Sequence, residues 1–200
     1  MDKIKLVAIL RGIRPAEAAE HIATLVGAGF RYIEIPLNSP DWRQSIPQMV
    51  ARFGEQAMIG AGTVLKVEQV DFLADAGAKL IVTPNTQPEV IRRAVARGMR
   101  VCAGCATATE AFSALDAGAQ WLKIFPSSAF GPDYIRALKA VLPPEVPVLA
   151  VGGVTPENLA SWVRAGCAGA GLGSDLYRAG QAVERTRQQA ERFIAAARCG

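Results

Sequence analysis

Eight times along the chain, a short apolar run is followed by an amphipathic stretch of helix-forming composition. That alternation limits the fold more than any other feature. Parallel strands need a long crossover between them, usually a helix, so alternating strand and helix signals mean a parallel sheet. Eight is the number at which such a sheet closes into a ring. The runs occupy residues 6–12, 32–37, 58–64, 80–85, 101–106, 121–126, 146–151 and 168–172. Pro15 opens the first helix and Gly29 closes it, as expected for a proline in the first turn and a glycine just past the end. Later helices are expected over 41–53, up to Gly77, Gly98 and Gly118, over 133–142, from Thr155-Pro156-Glu157, and to the C-terminus. The competing arrangement is an open doubly wound sheet, which uses fewer strands. No linker or low-complexity segment interrupts the pattern. The expectation is an α/β protein, a single-domain (β/α)8 TIM barrel over residues 1–200.

Composition excludes several classes. Hydrophobic residues make up 50% and charged residues 20% of the 200, an ordinary globular balance. No apolar run reaches the roughly 20 residues that span a bilayer. The start, Met1-Asp2-Lys3-Ile4-Lys5, leads into an apolar segment broken by Arg11, a poor signal peptide. Cys102, Cys105, Cys167 and Cys199 are too few for a disulfide scaffold and suit a cytoplasmic protein with reduced thiols. The net charge of +4 comes from scattered Lys and Arg without aromatic interleaving, so no nucleic-acid partner is expected.

Barrels of this kind carry their active sites at the C-terminal ends of the strands. Polar residues late in each run are therefore candidates: Arg11, Glu34, Asn38, Thr63, Thr83, Asn85, Thr107 and Lys123, with Gly152, Gly153, Gly173 and Ser174 completing the ring. Lys123 stands out among six lysines because Trp121-Leu122-Lys123-Ile124-Phe125 is an apolar strand. Burial disfavours an ammonium, lowers its pKa, and leaves an amine able to attack a ketone and form an imine. The alternative is a lysine whose head snorkels out at the strand end. Glu34, in Tyr32-Ile33-Glu34-Ile35-Pro36, is either the acid/base beside such an imine or half of a structural ion pair with Lys123 or Arg11. Arg11 is able to clamp a carboxylate with two parallel hydrogen bonds. Thr63 could add a hydroxyl, though threonine in a strand is ordinarily only a strand former. The glycines after the seventh and eighth strands match the loops that often hold phosphate in barrels.

Metal chemistry finds little support. His21 is the only histidine and belongs to the first helix. Cys102 and Cys105 have CxxC spacing but no second pair, and read better as small buried hydrophobes. The first strand lacks a dinucleotide glycine fingerprint.

Several stretches resemble the 2-keto-3-deoxy-6-phosphogluconate/galactonate aldolase family over nearly the whole chain. They are Ile9-Leu10-Arg11-Gly12, Ile33-Glu34-Ile35-Pro36-Leu37, Ile59-Gly60-Ala61-Gly62-Thr63-Val64, Val82-Thr83-Pro84, Leu122-Lys123-Ile124-Phe125-Pro126, Gly152-Gly153-Val154 and Gly171-Leu172-Gly173-Ser174. The resemblance implies a homotrimer that needs no cofactor. It makes Lys123 the imine-forming residue and Glu34 the acid/base. Arg11 and Thr63 then hold the pyruvate carboxylate, and Gly152, Gly153, Gly173 and Ser174 the phosphate. The implied reaction splits a phosphorylated 2-keto-3-deoxy sugar acid into pyruvate and glyceraldehyde 3-phosphate. Where the gluconate branch usually reads Pro-Thr-Gly-Gly, this chain reads Ala150-Val151-Gly152-Gly153, which resembles the galactonate branch and puts Val151 against the sugar. The stretch before the first strand is short, where many gluconate enzymes carry a longer helix, and this raises the question of how the barrel floor is closed.

Overall fold

All eight apolar runs become strands of one closed parallel ring in the computed structural model, which describes residues 4–199. Lys3 and the Cys199 side chain lie outside what is described. The order is β1 Lys5–Ile9, α1 Pro15–Ala28, β2 Tyr32–Pro36, α2 Trp42–Phe53, β3 Met58–Gly62, α3 Val67–Asp75, β4 Leu80–Val82 and α4 Pro88–Ala96. It continues as β5 Arg100–Cys105, α5 Ala108–Asp116, β6 Trp121–Ile124, α6 Ser127–Lys139, β7 Val148–Val151, α7 Leu159–Arg164, β8 Gly169–Leu172 and α8 Val183–Cys199. β1 pairs with both β2 and β8, which closes the ring.

Successive side chains of a strand point to opposite faces, so each strand feeds two cores. The larger core lies between strands and helices and holds residues such as Ala8, Ile33, Ile59, Leu122, Ala150 and Leu172. The smaller one fills the ring with Val7, Leu80, Val82, Cys102, Trp121 and Leu149, backed by Tyr32 and Met58. The floor is closed by its own residues. Trp121 meets Tyr32 edge to face, with ring centroids 4.9 Å apart. Arg100 stands 5.3 Å and Lys5 5.9 Å from the Trp121 ring, so two cations sit on its π system.

Three elements differ from the sequence reading. α7 starts at Leu159, not at Thr155. Thr155 and Asn158 cap each other first: the Thr155 N–H donates to Asn158 Oδ1 (2.9 Å) and the Asn158 N–H donates to Thr155 Oγ1 (3.3 Å). α6 starts at Ser127, earlier than expected, but Gly131 breaks it with φ 80° and ψ 167°. β4 stops at Val82 because the Thr83 hydroxyl takes over, accepting from the Gly104 N–H (3.1 Å) and donating to the Asn85 carbonyl (2.7 Å).

Candidate active site

The C-terminal mouth of the ring opens into a cavity of about 690 Å³. Arg11, Thr63, Lys123, Val151, Gly152, Gly153, Gly173 and Ser174 all line it. Glu34 lies just beneath, 1% exposed, and Lys123 rises beside it at 5% exposure. Both charges occupy a ring interior otherwise filled largely by apolar side chains.

Room for them comes from glycine. Gly62 stands at an inward position next to Pro36 of β2, and a Cβ there would fall 2.1 Å from Glu34 Oε2. β8 contributes Gly169 and Gly171 to the interior, and Gly171 abuts the Val151 methyls. A ring with ordinary side chains at these places would have no space for a lysine and a glutamate.

Burial sets the electrostatics. Desolvation pushes the Glu34 carboxyl up to about 7, against the opposing pull of Lys123 and then Arg11. Desolvation also pushes the Lys123 amine below its ordinary value, while Glu34 opposes this and Arg11 adds to it. Both groups are thereby moved toward neutral pH, as an acid/base and a nucleophile require. Glu34 Oε2 is buried without a hydrogen-bond partner. A structural ion pair would have satisfied it; an unsatisfied carboxylate oxygen costs stability and marks a group waiting for a proton or a ligand. Lys123 Nζ also lies 4.8 Å from the Phe125 ring, on the cavity side.

Arg11 is not paired with Glu34. Its Nη1 donates to Asn38 Oδ1 (2.7 Å) and, at the limit of contact, to Thr63 Oγ1 (3.5 Å). Thr63 holds φ 55°, a left-handed conformation rare for a β-branched residue. Such strain persists where the surroundings over-determine it, often at sites of function. Other candidates are spent on structure. Thr83 ties β4 to β5. Thr107 caps α5, sharing a reciprocal box with Glu110. Asn85 is exposed outside the cavity lining.

The phosphate-type loops are built as glycine requires. Gly152 and Gly153 take φ 100° and 73° in succession, and a Cβ on Gly153 would meet Ser128 Cβ at 2.7 Å. Ser127, missed by sequence reading, fastens this corner: its Oγ donates to the Ile124 carbonyl (2.7 Å) and accepts from the Val151 N–H (3.0 Å). Tyr177 and Arg178 also line the cavity and were not foreseen. They follow a tight turn in which the Leu176 and Tyr177 N–H groups donate to the Gly173 carbonyl.

Cys102, Cys105 and Cys167 are buried free thiols. Cys102 faces the ring interior and Cys105 the outer core, so the CxxC pair does not converge. His21 is buried, with Nδ1 2.8 Å from Thr186 Oγ1. No helix is long and apolar enough to cross a membrane among the described residues.

A barrel with a lysine and a carboxylate buried together at its mouth has the architecture of a lyase that works on carbonyl compounds. The chain belongs to the KDPG and KHG aldolase family, whose model matches residues 1–192. It is 70% identical to 2-dehydro-3-deoxy-6-phosphogalactonate aldolase of Escherichia coli (strain K12), over 98% of this chain and 96% of that protein. A solved structure described as native KDPGal superposes with a TM-score of 0.97 at 70% identity, covering 98% of this chain and 95% of the other. A second, a cube-shaped cage designed by fusing symmetric oligomeric domains, gives the same TM-score and identity, over 98% of this chain and 73% of that one.

Proposed function

We propose that this chain is a class I aldolase that cleaves 2-dehydro-3-deoxy-6-phospho-D-galactonate to pyruvate and D-glyceraldehyde 3-phosphate. The observation that carries the reading is the buried Lys123–Glu34 pair, with Glu34 moved up and Lys123 moved down by the same desolvation. The 70% identity to the Escherichia coli galactonate enzyme supports the substrate.

The neutral Lys123 amine attacks the C2 ketone. Glu34 supplies a proton to the carbinolamine hydroxyl, water leaves, and a protonated imine remains. Glu34, now a carboxylate, takes the C4 hydroxyl proton. The C3–C4 bond breaks, its electrons enter the iminium as an enamine, and glyceraldehyde 3-phosphate departs. Protonation of the enamine carbon by Glu34 and hydrolysis of the imine release pyruvate and restore the amine. The iminium is the electron sink, so the steps call for no metal. Arg11 and Thr63 hold the substrate carboxylate, and Gly152, Gly153, Gly173 and Ser174 hold the phosphate. Val151 faces the C4 region.

The assembly belongs to the same proposal: a cytoplasmic homotrimer. Support comes from Phe112 and Phe130, each about two-fifths exposed, and from the oligomeric domains of the related cage.

The test is a kinetic comparison of the two purified C4 epimers, following pyruvate release. The galactonate epimer should be cleaved with the higher kcat/KM, or as readily as the gluconate epimer. Cleavage of the gluconate epimer alone would overturn the substrate assignment.

A further inference from the structure

We infer that Arg178 is a specificity-determining residue that reads the phosphate of the aldehyde half of the substrate. The inference rests on the aldolase reading above and extends its phosphate loops by one side chain. Arg178 lines the cavity in common with Gly152, Gly153, Gly173 and Ser174. It stands at the β7–β8 side of the mouth, whereas Arg11 leans toward β2 and β3 through Asn38 and Thr63. A substrate with a carboxylate at one end and a phosphate at the other has two anions to place, and the cavity offers one arginine to each.

The Arg178 side chain is held in advance. Its Nε donates to the Ser174 carbonyl at 2.9 Å, which anchors the inner edge of the guanidinium. Its backbone is fixed as well: the Arg178 N–H donates to Gln181 Oε1 (2.9 Å), and Gln181 Nε2 donates to the Leu176 carbonyl (3.0 Å) and Thr186 Oγ1 (2.7 Å). Tethering through Nε leaves the two terminal NH2 groups, the fork that matches a phosphate. Among the described residues Arg178 enters no ion pair, although Asp175 of the same loop also lines the cavity. A free, tethered guanidinium beside glycine-lined backbone supplies charge where glycine alone supplies only N–H dipoles. Part of the side-chain entropy is already lost through the Ser174 bond, so less is lost on binding.

The experiment runs the reaction in the direction of condensation, with pyruvate and either D-glyceraldehyde 3-phosphate or unphosphorylated D-glyceraldehyde. In Arg178→Ala the ratio of kcat/KM for the phosphorylated over the unphosphorylated aldehyde should fall by about 10- to 100-fold, the worth of one charge-assisted contact. Arg178→Lys should recover part of that ratio, because it restores the charge without the fork. Borohydride trapping with pyruvate alone, run on each variant, reports the imine independently. A variant that traps pyruvate while losing both aldehydes by the same factor, or losing neither, overturns the role of Arg178. Failure of the parent protein to trap pyruvate at all would instead overturn the aldolase reading on which the inference stands.

Discussion

Gly62 and Glu34 fit together as space and occupant: the carboxylate fills the volume where a Gly62 Cβ would stand, 2.1 Å from Oε2 and 2.4 Å from Oε1. The glycine is on β3 and the glutamate on β2, so the pairing of these two strands carries the carboxylate into place.

Gly62→Ala should therefore act through Glu34. The added methyl displaces a carboxylate that is buried and lacks a hydrogen bond on Oε2. Turnover should fall by about 10-fold or more, within the span of a misplaced general acid/base. Borohydride trapping of pyruvate on Lys123 should persist. Circular dichroism together with the trapping yield separates this from simple unfolding. Normal kcat in the variant would show that Glu34 tolerates displacement and is not the acid/base.

Glu34→Gln keeps the shape and removes the titrating group. Turnover should drop by about 10²- to 10⁴-fold. The same variant tests the burial argument through stability. The folded carboxyl titrates near 7 and the unfolded one near 4.5. Between those values the folded state holds the extra proton, so stability falls as pH rises through that window. Below about pH 4.5 both states are protonated and the penalty vanishes. Glu34→Gln should thus gain Tm relative to the parent at pH 8 and lose that gain toward pH 5. A pH-independent difference would contradict the raised pKa.

The eight strands were legible because apolar runs and glycine stops repeat with one period. The strand residues that line the cavity followed from a single rule about which barrel end carries the site. Loops were harder. Arg178 lies beyond β8 in a segment whose path depends on the Gly173 turn and on Gln181, neither of which has a periodic signature. Ser127 lay outside the helix expected over 133–142, and its bond to the Val151 N–H joins residues 24 positions apart, a contact with no local signature. The partner of Arg11 was likewise hidden: charge alone suggested Glu34, whereas the ring geometry directs Arg11 to Asn38.

Val151→Thr addresses the choice of epimer. Val151 is buried at the cavity wall, its methyls against Gly171 and its N–H held by Ser127. Against a C4 hydroxyl, as proposed above, it would offer only hydrocarbon. Threonine of similar volume would offer a hydroxyl to one configuration, and a mispaired buried hydroxyl costs about 1–3 kcal/mol. The kcat/KM ratio of gluconate over galactonate epimer should rise by roughly 5- to 100-fold, on the scale where 1.4 kcal/mol is tenfold. An unchanged ratio would show that Val151 does not set the preference.

Lys123 carries the most weight in the proposal, and an imine formed on it would leave a covalent mark. Incubation with pyruvate and borohydride, followed by digestion and mass spectrometry, should place a single reduced pyruvyl adduct on the peptide that holds Lys123. Lys123→Ala, still folded by circular dichroism, should give no adduct and no cleavage of the sugar acid. An adduct on another lysine, or one that survives in Lys123→Ala, would contradict the assignment of Lys123 as the imine-forming residue.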